Sequence, residues 1–141
     1  MIIGNKDPVI KPRQLKEAFA SGKNVTALVR QLEDNHLNSE EAIEIAYDLQ
    51  SGRYSRAMLN DQQAQRRTSY AAAIAAEINP LLPMASLLEA GVGEATTLSG
   101  VLRHLQQRPQ HIYGFDLSWS RLAYARRWLD RCALLNQVTL S

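Results

Sequence analysis

The sequence predicts an α/β fold: a partial, doubly wound parallel sheet of about three strands, preceded by an all-helical amino-terminal extension. Two observations carry this. Apolar residues recur at helical spacing up to the Asn79-Pro80 junction, and beyond it short apolar runs alternate with helical ones. Strand-helix alternation with short strands is the pattern of parallel strands joined by crossover helices. Composition agrees, since 141 residues that are 45% hydrophobic and 21% charged suffice for one core of ordinary domain size. The expected division is a helical extension over 1–60 and an incomplete sheet domain over 61–141.

In the extension, Pro12 suits a first helical turn and Gly22 a terminus, bracketing "PRQLKEAFAS". Asn24 is placed to cap "VTALVRQLEDN", and Asn38 or Ser39 to cap "EEAIEIAYDLQS", which Gly52 closes. A longer helix is expected from Asp61 through "QQAQRRTSYAAAIAAEIN", because alanine favours helix and Asn79-Pro80 disfavours continuing it. Next come a strand in "ASLLEAGVG", a helix with Leu98, Val101, Leu102 and Leu105 on one stripe, and a strand in "HIYGFDLS". "WSRLAYARRWLDRCALL" is a second crossover helix capped by Ser118, and "QVTL" opens a third strand. Tyr113 and Phe115 alternate about Gly114 as strand residues do and are expected in the core.

The net charge of +2 is too small for bulk electrostatics to indicate nucleic acid or an anionic membrane as partner. The late arginines, Arg103 to Arg131, read as solvated helix faces. The single cysteine, Cys132, precludes an internal disulfide and fits a buried structural thiol in a reducing compartment. His36, His104 and His111 have no partners at metal-ligand spacing, so no metal site is expected. With no signal-like or membrane-length apolar stretch, the expected location is cytoplasmic and no membrane partner is expected.

The informative stretch is "LLEAGVGEATTL", residues 87–98. A glycine-rich turn at the carboxyl end of a first parallel strand lets backbone approach a ligand, beside the free amides of the following helix. The dinucleotide fingerprint G-x-G-x-x-G fails here: Gly91 and Gly93 are followed by Thr96 where the third glycine belongs. An acid, Glu89, stands at the strand end, and a second acid, Asp116, ends the second strand. Taken alone, Gly91 and Gly93 also serve a tight turn, and Asp116 a helix start favoured by the helix dipole.

"LLEAGVGEAT" resembles the first motif of class I S-adenosylmethionine-dependent methyltransferases, an acid followed by alternating glycines with alanine frequent at the third. "IYGFDLSWSRLAYAR" resembles that family's second motif. The resemblance covers residues 60–141 and implies the amino-terminal, cofactor-binding half of such an enzyme. It implies S-adenosyl-L-methionine as cofactor, with Glu89 near its methionine amino group and Gly91 and Gly93 passing its methionyl and ribose parts. Asp116 then receives the ribose hydroxyls, a role suited to a carboxylate accepting two charge-assisted bonds from a vicinal diol, and Leu117 flanks the adenine.

In that family the acceptor-binding residues follow later strands, so the catalytic residues and the methyl acceptor are unassigned. The stretch is expected to be the front of a longer protein or a truncated product, inactive alone and at most a weak cofactor binder. If nothing followed, "SLLEA" would be an exposed apolar edge, and such a half-sheet is expected to self-associate, misfold or be completed by further chain. The rival expectations are an NAD(P)-binding oxidoreductase fragment, disfavoured by Thr96, and a non-enzymatic helical interaction module using residues 1–60. Titration with S-adenosylhomocysteine and with NADH separates the first two, and binding of neither favours the third. Asp116→Ala is expected to weaken S-adenosylhomocysteine binding by about one to two orders of magnitude, on the order of 1.5–3 kcal/mol, with helical circular dichroism intact. Unchanged affinity would contradict the ribose role.

Overall fold

The computed structural model describes residues 12–25, 27–28 and 40–141, which form two compact units, Met1–Gln50 and Ser51–Ser141. In the first unit, α1 (Pro12–Ala20) ends where Gly22 turns the chain at φ 78°, and Asn24 caps the next segment, its Oδ1 accepting from the Ala27 amide at 3.1 Å. Helix α2 covers Glu40–Leu49. Leu15, Val25 and Ala46 form a small buried cluster with Phe19, Leu28 and Leu49 against it. The expected caps at Asn38 and Ser39 lie outside the described residues, as does most of "VTALVRQLEDN".

Residues 51–60, which composition groups with the extension, pack in the second unit. There α3 (Arg53–Ala57) follows Gly52, and α4 (Asp61–Ile78) starts at Asn60, whose side chain accepts from the Gln63 amide. Helix α4 gives way to a single 3-10 turn at Asn79–Leu81, where the proline was expected to stop it.

Three strands form one parallel sheet in the order β1 (Ser86–Ala90), β2 (His111–Phe115), β3 (Val138–Leu140), so β1 lies at an edge of the described sheet. Helix α5 (Thr96–His104) joins β1 to β2 and α6 (Trp119–Arg131) joins β2 to β3. This is the α/β arrangement that the alternation predicts. The register pairs Leu87 with Ile112 and Glu89 with Gly114. The core gathers Leu98 and Leu102 of α5, Ile112 of β2, Leu122, Ala125 and Leu129 of α6, and Val138 of β3. A buried hydrogen bond from Trp128 Nε1 to Ser99 Oγ, 2.8 Å long, ties α6 to α5. Helix α4 packs on α5 through Ala71, Ala75 and Val101.

Side-chain alternation corrects one expectation. Ile112 and Gly114 face the helices, so Tyr113 and Phe115 point to the other face of the sheet, where they are 40% and 46% exposed beside an exposed Leu88. They are surface residues here, not core. Cys132 is half-buried against the core, and its Sγ accepts from Arg103 Nη2 at 3.2 Å. No described helix is long and apolar enough to cross a membrane.

Leu129 is fully enclosed where α6 meets the sheet. Leu129→Ala is expected to lower unfolding free energy by about 2–5 kcal/mol, read from urea denaturation; a loss below about 1 kcal/mol would show that this core is not the one that holds the sheet.

Candidate ligand site at the glycine loop

Residues 91–95 connect β1 to α5 through three left-handed positions: Gly91 at φ 68°, Gly93 at 55° and Ala95 at 55°. Only glycine adopts that region without steric cost, so Gly91 and Gly93 are needed here for backbone reasons alone. Ala95 accepts the cost because its methyl is buried in the core and its amide closes a turn on the Val92 carbonyl at 2.9 Å. The Val92 amide donates to the Phe115 carbonyl at 2.9 Å, extending the β1–β2 pairing into the loop. Val92 crosses directly over Gly114, where an added Cβ would sit 2.9 Å from Val92 Cγ2. Glycine at 114 thus lets the loop lie flat on the second strand.

Asp116 fixes the loop from the tip of β2. Its Oδ2 accepts from the Gly93 amide at 2.8 Å and its Oδ1 from the Ser118 amide at 2.8 Å. Ser118 is fully buried, and its Oγ accepts from the Arg121 amide at 3.2 Å, the expected cap of α6. Each carboxylate oxygen has a second acceptor direction, so Asp116 can hold the loop and still receive hydroxyl donors.

The side chain of Glu89 is half-buried, and the backbone amide of Leu98 in the first turn of α5 donates to it. That contact gives the acid a structural reason to be there, because Ala95 offers no side-chain cap to this helix. Burial nonetheless dominates and pushes the Glu89 carboxyl up from 4.5 to about 7, with the Leu98 bond offsetting part of the rise.

A cavity of about 170 Å³ opens on the loop, lined by Glu89, Gly91 and Gly93 together with Tyr54, Arg67, Glu94 and Arg121. Its size suits part of a ligand rather than a whole cofactor, for which pockets run to about 300–1,000 Å³. Two guanidiniums stack on the Tyr54 ring, Arg67 with Cζ 4.5 Å from the centroid and Arg121 at 5.4 Å. The cavity therefore has one acid on the strand side, Glu89, a second in the loop, Glu94, whose oxygens the Tyr54 and Ser55 amides occupy, and two cations around the ring.

Of the residues chosen from sequence, Glu89, Gly91 and Gly93 meet at the cavity, and Asp116 stands behind Gly93. Leu117 lies outside the cavity and is 55% exposed. Tyr54, Arg67, Glu94 and Arg121 are additions that no local motif announces, since they come from three helices and the loop and read singly as surface charge or helix residues. Among the described residues no cluster of His, Cys, Asp or Glu could hold a metal ion. The sequence matches no protein-family model and no curated protein.

Glu89 makes stability depend on pH. Between 4.5 and about 7 the folded chain keeps a proton on Glu89 that the unfolded chain has released, so stability falls as pH rises through that window. The melting temperature of the ligand-free protein is expected to drop between about pH 5 and pH 7.5, and Glu89→Gln to flatten that drop; an identical pH profile in the variant would refute the buried-acid assignment.

Proposed function

We propose that residues 51–141 bind S-adenosylmethionine and that the chain carries the cofactor-binding part of a methyltransferase. The observation that supports this best is the charge layout of the cavity. Glu89, whose carboxyl is not taken by the Tyr54 segment as that of Glu94 is, and two guanidiniums in the same lining match the ammonium and carboxylate of an α-amino-acid end. Asp116, at the tip of the neighbouring strand, has acceptor capacity left for a ribose diol.

The loop's hydrogen bonding argues against the dinucleotide alternative. A pyrophosphate is held by loop and helix amides, but the amides of Val92, Gly93 and Ala95 are already engaged by Phe115, Asp116 and Val92. Glu89 would add an acid beside the phosphates. A zwitterionic amino-acid end needs side-chain charges of both signs and makes no such demand on the amides.

When bound, S-adenosylmethionine supplies a sulfonium-activated methyl group whose transfer depends mainly on alignment. This chain's residues would provide the holding. Glu89 receives the ammonium and gives up its proton in doing so, because a cation beside it favours the carboxylate. Arg67 and Arg121 receive the carboxylate, the Gly91–Gly93 backbone passes the thioether region, and Asp116 orients the ribose. The methyl acceptor has no assignment.

Titration with S-adenosylhomocysteine near pH 7 is expected to release a proton, seen as a binding enthalpy that varies with the ionisation enthalpy of the buffer. Glu89→Gln removes that variation. Asp116→Asn is preferable to the alanine change, because it keeps an acceptor for one of the two backbone amides, Gly93 or Ser118, while removing the charge; it should weaken binding roughly tenfold or more. No binding at millimolar ligand, or tighter binding of NADH, would overturn the proposal.

A further inference from the structure

Glu94 is the most deeply buried acid among the described residues, 2% exposed, and it belongs to none of the roles assigned above. Its two carboxylate oxygens accept from two consecutive backbone amides at the start of α3: Oε1 from Tyr54 at 3.2 Å and Oε2 from Ser55 at 2.7 Å. A buried carboxylate is costly unless its bonds are charge-assisted and well directed, which these are. The same segment is fixed at its other end. Gly52 turns at φ 78° so close to α6 that an added Cβ would stand 2.6 Å from the Tyr124 ring. Residues 52–55 are therefore seated on α6 at one end and on the glycine loop at the other, and Tyr54 is held between them. The ring of Tyr54 in turn carries the guanidiniums of Arg67 and Arg121.

We propose that Glu94 is a positioning residue that sets the carboxylate-binding end of the cavity, by clamping residues 54 and 55 so that Tyr54 holds Arg67 and Arg121 against the glycine loop. This rests on the S-adenosylmethionine assignment for what the cavity holds. Glu94 acts through its neighbours: it governs where two cations stand, and so governs affinity for a ligand with an amino-acid end. A ligand with the same nucleoside and thioether but no amino acid, such as 5′-methylthioadenosine, depends on Asp116 and is indifferent to the clamp.

The test compares both ligands on the full chain by calorimetry, with amide hydrogen exchange followed at residues 54 and 55. In Glu94→Gln one oxygen acceptor is replaced by a donor that opposes a backbone amide. The expected result is faster exchange at both amides and roughly tenfold weaker S-adenosylhomocysteine binding, with 5′-methylthioadenosine affinity changed less than about twofold. Tyr54→Ala, at a partly exposed position, leaves the clamp in place and is expected to reproduce the selective loss, while Tyr54→Phe keeps wild-type affinity. Equal weakening of both ligands in Glu94→Gln would reduce Glu94 to general stability and overturn the proposal. So would unchanged S-adenosylhomocysteine affinity in either Glu94→Gln or Tyr54→Ala. If the wild-type chain binds neither ligand, the cofactor assignment itself falls and takes the clamp's role with it.

Discussion

The bond from the Gly93 amide to Asp116 Oδ2 joins the ends of two strands that are 23 residues apart in the chain. A loop with three left-handed residues has few conformations in which its own amides are satisfied, and an unpaired buried amide costs about 1–3 kcal/mol. Asp116 supplies the acceptor, Phe115 pairs with Val92, and Gly114 leaves the space in which Val92 lies. With that contact in place the loop's curvature is set, Glu89 is carried to the cavity's edge, and α5 begins where its first turn reaches the same acid.

Carboxylates do most of the holding around the loop, each on backbone amides: Asp116 on Gly93 and Ser118, Glu94 on Tyr54 and Ser55, Glu89 on Leu98. Backbone amides are present whatever the side chains, so an acid can fasten one segment to another without a matching cation. Two cations of the cavity, Arg67 and Arg121, gather on one tyrosine. The loop is thus held by acceptors that reach neighbouring segments through their backbone rather than their side chains.

The parallel sheet and its crossover helices were legible because period is a local property: alternation over five residues and stripes at three and four residues survive whatever the strands pack against. The loop and its two acids were legible for the same reason, as short motifs. What sequence could not show is which face of β2 is covered. Alternation places Tyr113 and Phe115 together, but it gives no sign of which side the helices take, and the small Ile112–Gly114 side turned out to be the packed one. Nor could it relate Glu94 to residues 54 and 55, some forty positions earlier, because a carboxylate on backbone amides leaves no trace in the identities of its partners. The segment 51–60 reads as more of the helical extension, but its contacts with Tyr124, Glu94, Arg67 and Arg121 join it to the sheet unit.

Helices α4 and α5 meet closely at two residues with almost no side chain: a Cβ added to Gly100 would stand 2.7 Å from the Cβ of Ala71. Arg67 lies one turn before Ala71 on the same face of α4. The stretch of α4 that rests on Gly100 thus lies next to Arg67, whose guanidinium sits over the Tyr54 ring. Residue 100 lines no part of the cavity at the glycine loop, yet it sets how closely the two helices meet. A side chain there would meet Ala71 and force the two helices apart, one turn from an arginine that lines the cavity.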